Sequence, residues 1–144
     1  MISLMFAGNY KVYDGLLIAS ISILKHCKEP ITVYVLTMDL LEQNENFKAI
    51  SQCDIEKLDK LYKEANKESS VIRVDVKDIY LKELSNSPNS QSIYTPYALL
   101  RLLAEQVDII PDKVLYLDTD VVANSDISEL YNIDISSGTF ATEG

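Results

Sequence analysis

Two carboxylates stand two residues apart, Asp118 and Asp120, at the exit of the apolar run Lys113-Val114-Leu115-Tyr116-Leu117. The length of that run and its branched and aromatic content predict a buried strand. In open α/β sheets, ligands collect beyond the carboxyl ends of the strands. Two anionic side chains held there repel each other unless a cation or a shared proton lies between them. An Asp-x-Asp at a strand terminus therefore predicts coordination of a hard divalent cation by Asp118 and Asp120. The alternative without chemistry is a loop aspartate beside a helix-capping one.

The elements that must carry this pair alternate along the chain. Ile2–Ala7 reads as a first buried strand closed by the turn Gly8-Asn9. Residues from Tyr10 to His26 follow a helical pattern, with Val12, Leu16, Ala19 and Ile23 as the apolar stripe. Leu17, Ile21 and Leu24 widen it, so this helix is expected to be covered on more than one side, and Pro30 ends it. Ile31–Leu36 is a second strand, residues 51–67 an amphipathic helix with Glu56/Lys60 and Asp59/Lys63 pairs, and Val71–Val76 a third strand. The run from Ser85 to Ser92 is loop chemistry and a candidate mobile element. A helix over 95–107 follows, with Pro96 in its first turn and Leu99, Leu102, Leu103 and Ala104 for packing. The fourth strand delivers the aspartates, and Asp126 is placed to cap a short helix over Ile127–Leu130. The order predicts an α/β, Rossmann-like, mostly parallel sheet with helices on both faces. No Gly-x-Gly-x-x-Gly or Gly-Lys-Ser/Thr is present, which argues against a dehydrogenase or P-loop nucleotidase.

With 144 residues the chain is expected to form one domain over 1–144. The net charge of −9 is uneven: residues 1–100 hold 13 acidic and 11 basic side chains, residues 101–144 hold 9 and 2. That balance argues against nucleic-acid binding, which needs a basic footprint. An anionic ligand then requires a metal, a few placed Arg or Lys groups, or backbone N–H donors. No apolar run is long enough to span a bilayer and no signal pattern opens the chain, so a cytoplasmic location is expected. Cys27 and Cys53 lie far apart outside any Cys/His cluster and are expected to be reduced core thiols.

Phe6-Ala7 at the end of the first strand, Arg101-Leu102 on the later helix, and the block Lys113–Val122 followed by Asp126-Ile127-Ser128-Glu129-Leu130 resemble glycosyltransferase family 8. The resemblance covers the chain and is strongest in its last fifty residues. It implies a GT-A fold and transfer of a hexose from a UDP-sugar to a glycan or lipid-linked acceptor with retention of configuration, using Mn²⁺ or Mg²⁺. Surface-glycan and lipopolysaccharide synthesis are the settings it suggests. By motif, Asp118 and Asp120 would ligate the metal, with Thr119 between them, and the metal would bridge the diphosphate oxygens. Arg101 would approach the donor sugar or its diphosphate; as an ordinary surface residue it would pair with Glu105. Ala7, Gly8 and Asn9 would lie beside the uridine, where a small side chain permits close backbone approach. Asn9 stands where many members carry an aspartate that reads the uracil, and its amide retains hydrogen-bonding capacity. Lys11 is expected to be solvated, while Asp14 and Gly15 either shape the helix start or lie near the donor.

Family members continue well past the length of this chain, and their later part supplies a histidine metal ligand, acceptor contacts and catalytic side chains. The chain is therefore expected to be the N-terminal nucleotide-sugar-binding portion, with its catalytic residues beyond Gly144. Self-association through a truncated edge and, in a longer form, peripheral attachment to the inner membrane face are further expectations. His26, the lone histidine, is expected at a helix end. Two other readings use the same aspartates: a binding fragment without turnover, and a haloacid-dehalogenase-type phosphatase with Asp118 as nucleophile and Asp120 as acid/base.

Overall fold

The computed structural model describes residues 1–84, 86, 88 and 95–138. The expected Ser85–Ser92 loop, apart from Asn86 and Pro88, and the segment after Gly138 lie outside the described residues.

Four strands, β1 (Ile2–Ala7), β2 (Ile31–Thr37), β3 (Ser70–Asp75) and β4 (Leu115–Tyr116), form one sheet in the order β3-β2-β1-β4. Every pairing is parallel, with Leu4 opposite Val33 on one side and Leu115 on the other. β1 and β2 are continuous apolar runs because both of their faces are covered. Ile2, Leu4, Phe6, Ile31, Val33 and Val35 face one core, and Met5, Tyr34 and Leu36 face the other.

The first face is covered by α1 (Tyr13–His26) and α2 (Gln52–Ala65), which bury Leu16, Ala19, Ile23, Ile55, Leu58 and Tyr62. Ser51 caps α2 by accepting the Asp54 N–H at 3.1 Å. The second face is covered by α3 (Lys77–Glu83) and a 3₁₀ helix, Pro96–Gln106, which supply Tyr80, Tyr97, Leu100 and Leu103. A short α4 (Ser128–Tyr131) follows, preceded by Asp126, whose carboxylate accepts the Ser128 N–H at 2.9 Å.

Several expectations change in physical detail. The 95–107 helix is 3₁₀ through eleven residues. With three residues per turn, Tyr97, Leu100 and Leu103 align on the sheet, and Leu102 is turned out at 60% exposure. Leu17 and Leu24 pack against the first core as the widened stripe predicts, but Ile21 is more than half exposed instead of covered, as is its neighbour Ile18. Cys27 is buried, but Cys53 is exposed in the first turn of α2, where the sheet-facing position belongs to Ile55. Lys63 pairs with Asp59 at 2.7 Å as expected, while Lys57 pairs with Asp54 and no Glu56–Lys60 bridge forms among the described residues. α3 has no counterpart in the sequence reading; Asp75 starts it by accepting the Lys77 N–H at 3.0 Å.

Tyr62 donates a 2.9 Å hydrogen bond to Ser20 Oγ between α1 and α2, and burial pushes its pKa up to about 12. Unfolded tyrosine ionises near pH 10. Between about pH 10 and 12 the unfolded chain loses a proton that the folded chain keeps, so stability falls as pH rises. Urea unfolding should show Tyr62→Phe less stable than wild type by about 1 kcal/mol at pH 8. At pH 11 that difference should vanish or reverse, because the variant has no phenol to ionise at this position.

Candidate functional site

A cavity of about 420 Å³ opens where the chain leaves β1 and β4. Its walls are Ala7, Gly8, Asn9 and Val12 after β1, Thr95, Tyr97 and Ala98 at the start of the 3₁₀ helix, and Tyr116, Asp118, Thr119 and Asp120 after β4. The chain runs from β1 outward through β2 to β3 and then returns to the other side of β1 as β4. The cavity therefore sits at the strand-order reversal, where the connections leave in opposite directions and a crevice must open. Every sequence-predicted site residue except Arg101 lines it. A larger hollow of about 560 Å³, between α1 and residues 121–133, contains none of them.

The β1 wall is fixed by hydrogen bonds to β2 and to the chain that follows it. The Gly8 N–H donates to Leu36 O at 3.1 Å. Thr37 Oγ1, fully buried, donates to Gly8 O at 2.8 Å and accepts the Ile50 N–H at 3.0 Å. Asn9 Oδ1 accepts the Lys11 N–H at 3.1 Å, capping the single 3₁₀ turn Tyr10–Val12, while its Nδ2 donates to Asn46 O at 3.2 Å. The Tyr10 N–H donates to Lys48 O at 3.0 Å, so residues 46–50 buttress this wall. Asn9 thus offers a ligand its second amide hydrogen, since its oxygen already caps the turn. Gly8 is small for a local reason: an added Cβ would sit 2.5 Å from Val12 Cγ2.

The opposite wall begins where β4 ends. The Leu117 N–H donates to Met5 O at 3.1 Å, and Asp118 follows at once. Asp118 and Asp120 are exposed at the cavity, with Thr119 partly covered between them. Tyr116 lies beneath them. Burial, then the charge and hydrogen bonding of Asp118, push its phenol up to about 12, so it is a neutral group in the cavity floor. Arg101 reaches this floor from outside: its guanidinium lies 5.8 Å from the centre of the Tyr116 ring, a cation–π contact. The alternative Arg101–Glu105 surface pair is not formed among the described residues, because in a 3₁₀ helix positions i and i+4 are a third of a turn out of line. Arg101 instead follows Ala98, a cavity-lining residue, by one full turn.

Sequence reasoning missed Val12, Thr95, Tyr97, Ala98 and Tyr116 as walls. Tyr97 carries a usable signal, an aromatic just after Pro96. Its hydroxyl donates to Met38 O at 2.6 Å and its ring meets Phe47 edge-on at 5.9 Å, which locks the wall to the β2 exit.

As a donor set, the two carboxylates suit a hard divalent cation, and no cluster of three or more His, Cys, Asp or Glu side chains forms among the described residues. Asp118 follows the fourth strand at a sheet edge, unlike the domain-opening first strand that a haloacid-dehalogenase nucleophile needs. Among the described residues no helix is long and apolar enough to cross a membrane.

The chain matches the family model for glycosyl transferase family 8 over residues 1–142. It belongs to that family. Comparison with curated proteins gives no match. Among solved structures, the family 8 chain is similar to the galactosyltransferase LgtC in complex with donor and acceptor sugar analogues, with 20% identity and a TM-score of 0.65. That alignment covers 94% of this chain and 44% of LgtC. An active-site mutant of LgtC gives a TM-score of 0.67 at 20% identity, covering 94% of this chain and 43% of the mutant. The apo form of the glycosyltransferase GlyE from Streptococcus pneumoniae gives 0.63 at 20% identity, with 94% of this chain and 27% of GlyE covered. The chain therefore spans less than half the length of the solved proteins it resembles. The expected GT-A type of α/β fold is shared with LgtC.

Thr37→Val should leave the Gly8 carbonyl and the Ile50 N–H buried without partners, at a cost of about 2–4 kcal/mol in urea unfolding. Thr37→Ser, which keeps the hydroxyl, should recover most of that loss.

Proposed function

We propose that this family 8 chain binds the UDP-hexose donor of a retaining, Mn²⁺- or Mg²⁺-dependent hexosyl transfer to a glycan or lipid-linked acceptor. The observation that carries the reading is the convergence of Asp118 and Asp120 with Ala7, Gly8 and Asn9 on one cavity at the strand-order reversal. These segments lie more than a hundred residues apart in sequence and have no local reason to meet. LgtC in complex with donor and acceptor sugar analogues, similar in fold to this chain, supports a sugar-donor role for the equivalent region here.

In this reading Asp118 and Asp120 hold the cation, and Ala7, Gly8 and Asn9 flank the nucleoside, with the free Asn9 amide hydrogen available to a base carbonyl. When bound, the cation supplies electrostatic stabilisation of the diphosphate as it leaves. Tyr116, kept neutral by its surroundings, adds no negative charge to a wall that already has two carboxylates. Arg101, steadied on the Tyr116 ring, brings the nearby positive charge toward the diphosphate.

Calorimetric titration of UDP with and without Mn²⁺ tests this reading directly. Wild type should bind UDP at least about tenfold more tightly with the metal, and Asp118→Asn/Asp120→Asn should abolish the enhancement. Equal affinity with and without Mn²⁺ in a folded wild type would overturn it.

A further inference from the structure

The segment that carries the two carboxylates has little sheet to hold it. β4 pairs with β1 at Leu115 and Tyr116, the Leu117 N–H adds one more bond, and the chain then leaves the ladder. Its next supports come from α1. Gly15, in the first turn of α1, approaches the loop so closely that an added Cβ would sit 2.5 Å from Thr119 O. Two turns further on, Ser22 Oγ accepts the Ala123 N–H at 2.9 Å while donating to Ala19 O at 2.7 Å. Both contacts join the same helix to the same segment, across about a hundred residues of sequence.

Glycine in a helix is less favourable than alanine, so Gly15 needs a compensating role. No residue among those described, Gly15 included, has positive φ, which removes backbone conformation as that role. What remains is the close approach to the Thr119 carbonyl. Ordinary carbon–oxygen contact is near 3.4 Å, so a methyl at position 15 must displace the carbonyl by about 1 Å or tilt the helix. Thr119 lies between Asp118 and Asp120, so its displacement moves both carboxylates.

We infer that Gly15 and Ser22 are positioning residues: α1 is the rail on which residues 117–123 are set, and it fixes where the Asp118/Asp120 pair meets a cation. The inference rests on the proposed donor-site reading for its functional consequence, but its structural half stands independently. Neither residue is itself part of the cavity lining, so each acts through the loop.

The test uses Gly15→Ala and Ser22→Ala, read by hydrogen–deuterium exchange and by UDP titration with and without Mn²⁺. Exchange should quicken in residues 117–124 of Ser22→Ala while α2 and β2 stay as in wild type. Gly15→Ala should lose at least about tenfold of the metal-linked UDP affinity, as a shift of about 1 Å in a placed group does. Its metal-free affinity should be unchanged. In the Asp118→Asn/Asp120→Asn background Gly15→Ala should cost nothing further. If wild type shows metal-linked binding and both folded variants retain it, the inference is overturned and the donor-site reading stands. If wild type shows none, the donor-site reading fails, and exchange alone decides: acceleration confined to 117–124 supports the rail, and an unchanged pattern overturns it. Should Gly15→Ala fail to fold, Ser22→Ala carries the same decision.

Discussion

The structure depends on β1 having a parallel partner on each side. Parallel strands in one sheet need crossover connections, and those crossovers are right-handed. Moving outward from β1 to β2 and β3 therefore places α1 and α2 on one face. Returning past β1 to β4 reverses the direction and so puts α3 and the 3₁₀ helix on the other face. Handedness alone thus demands two cores, burial of β1 and β2 on both sides, and divergence of the chain at the carboxyl ends of β1 and β4. The cavity is what that divergence leaves open.

The two sides of the cavity are held by different means. Past Ala7 the chain stays bonded to the β2 side through Gly8 and Thr37, and residues 46–50 add further bonds. Past Leu117 no ladder remains, and helix contacts take its place. One wall is therefore built like sheet and the other like a loop resting on a helix. The 3₁₀ helix supplies a third side because its three-residue repeat stacks Tyr97, Leu100 and Leu103 onto the sheet and leaves Ala98 and Arg101 on an adjacent face. In an α-helix over the same residues, positions three apart would be about 60° out of line with one another, and the two rows would not stay separate.

The strands were readable because burial on both faces writes itself as continuous apolar runs, as in Ile2–Ala7 and Ile31–Thr37. Asp118 and Asp120 were readable because two like charges after such a run call for a counter-charge. Other features were hidden for specific reasons. Apolar pattern alone did not separate α from 3₁₀ over 96–106, and with it went the orientation of Leu102 and Arg101. Cys53 looked like a core residue by type, yet a helix phase anchored on Ile55, Leu58 and Tyr62 turns it outward. Gly15 was undecided because its neighbour, Thr119, is distant in sequence and meets it through a backbone carbonyl that any residue would carry. Side-chain patterns record burial well, but they record poorly a contact made to backbone.

Charge then narrows what the cavity can accept. Residues 101–144 hold nine acidic and two basic side chains, and two of those acids face the cavity directly. An anionic ligand meeting that wall unaided would gain nothing from it, because exposed carboxylates repel phosphate oxygens at short range. Arg101 balances at most one charge and stands behind Tyr116 instead of in the opening. Two backbone donors on the β1 side are already committed, the Gly8 N–H to Leu36 and the Lys11 N–H to Asn9. In the proposed reading a diphosphate sits here across a cation that both aspartates share with it. A neutral ligand would have no use for the paired charges, whose mutual repulsion is relieved only when something positive lies between them. In that reading, the same two residues that make the wall hostile to a bare phosphate make it receptive to a metal-bound one.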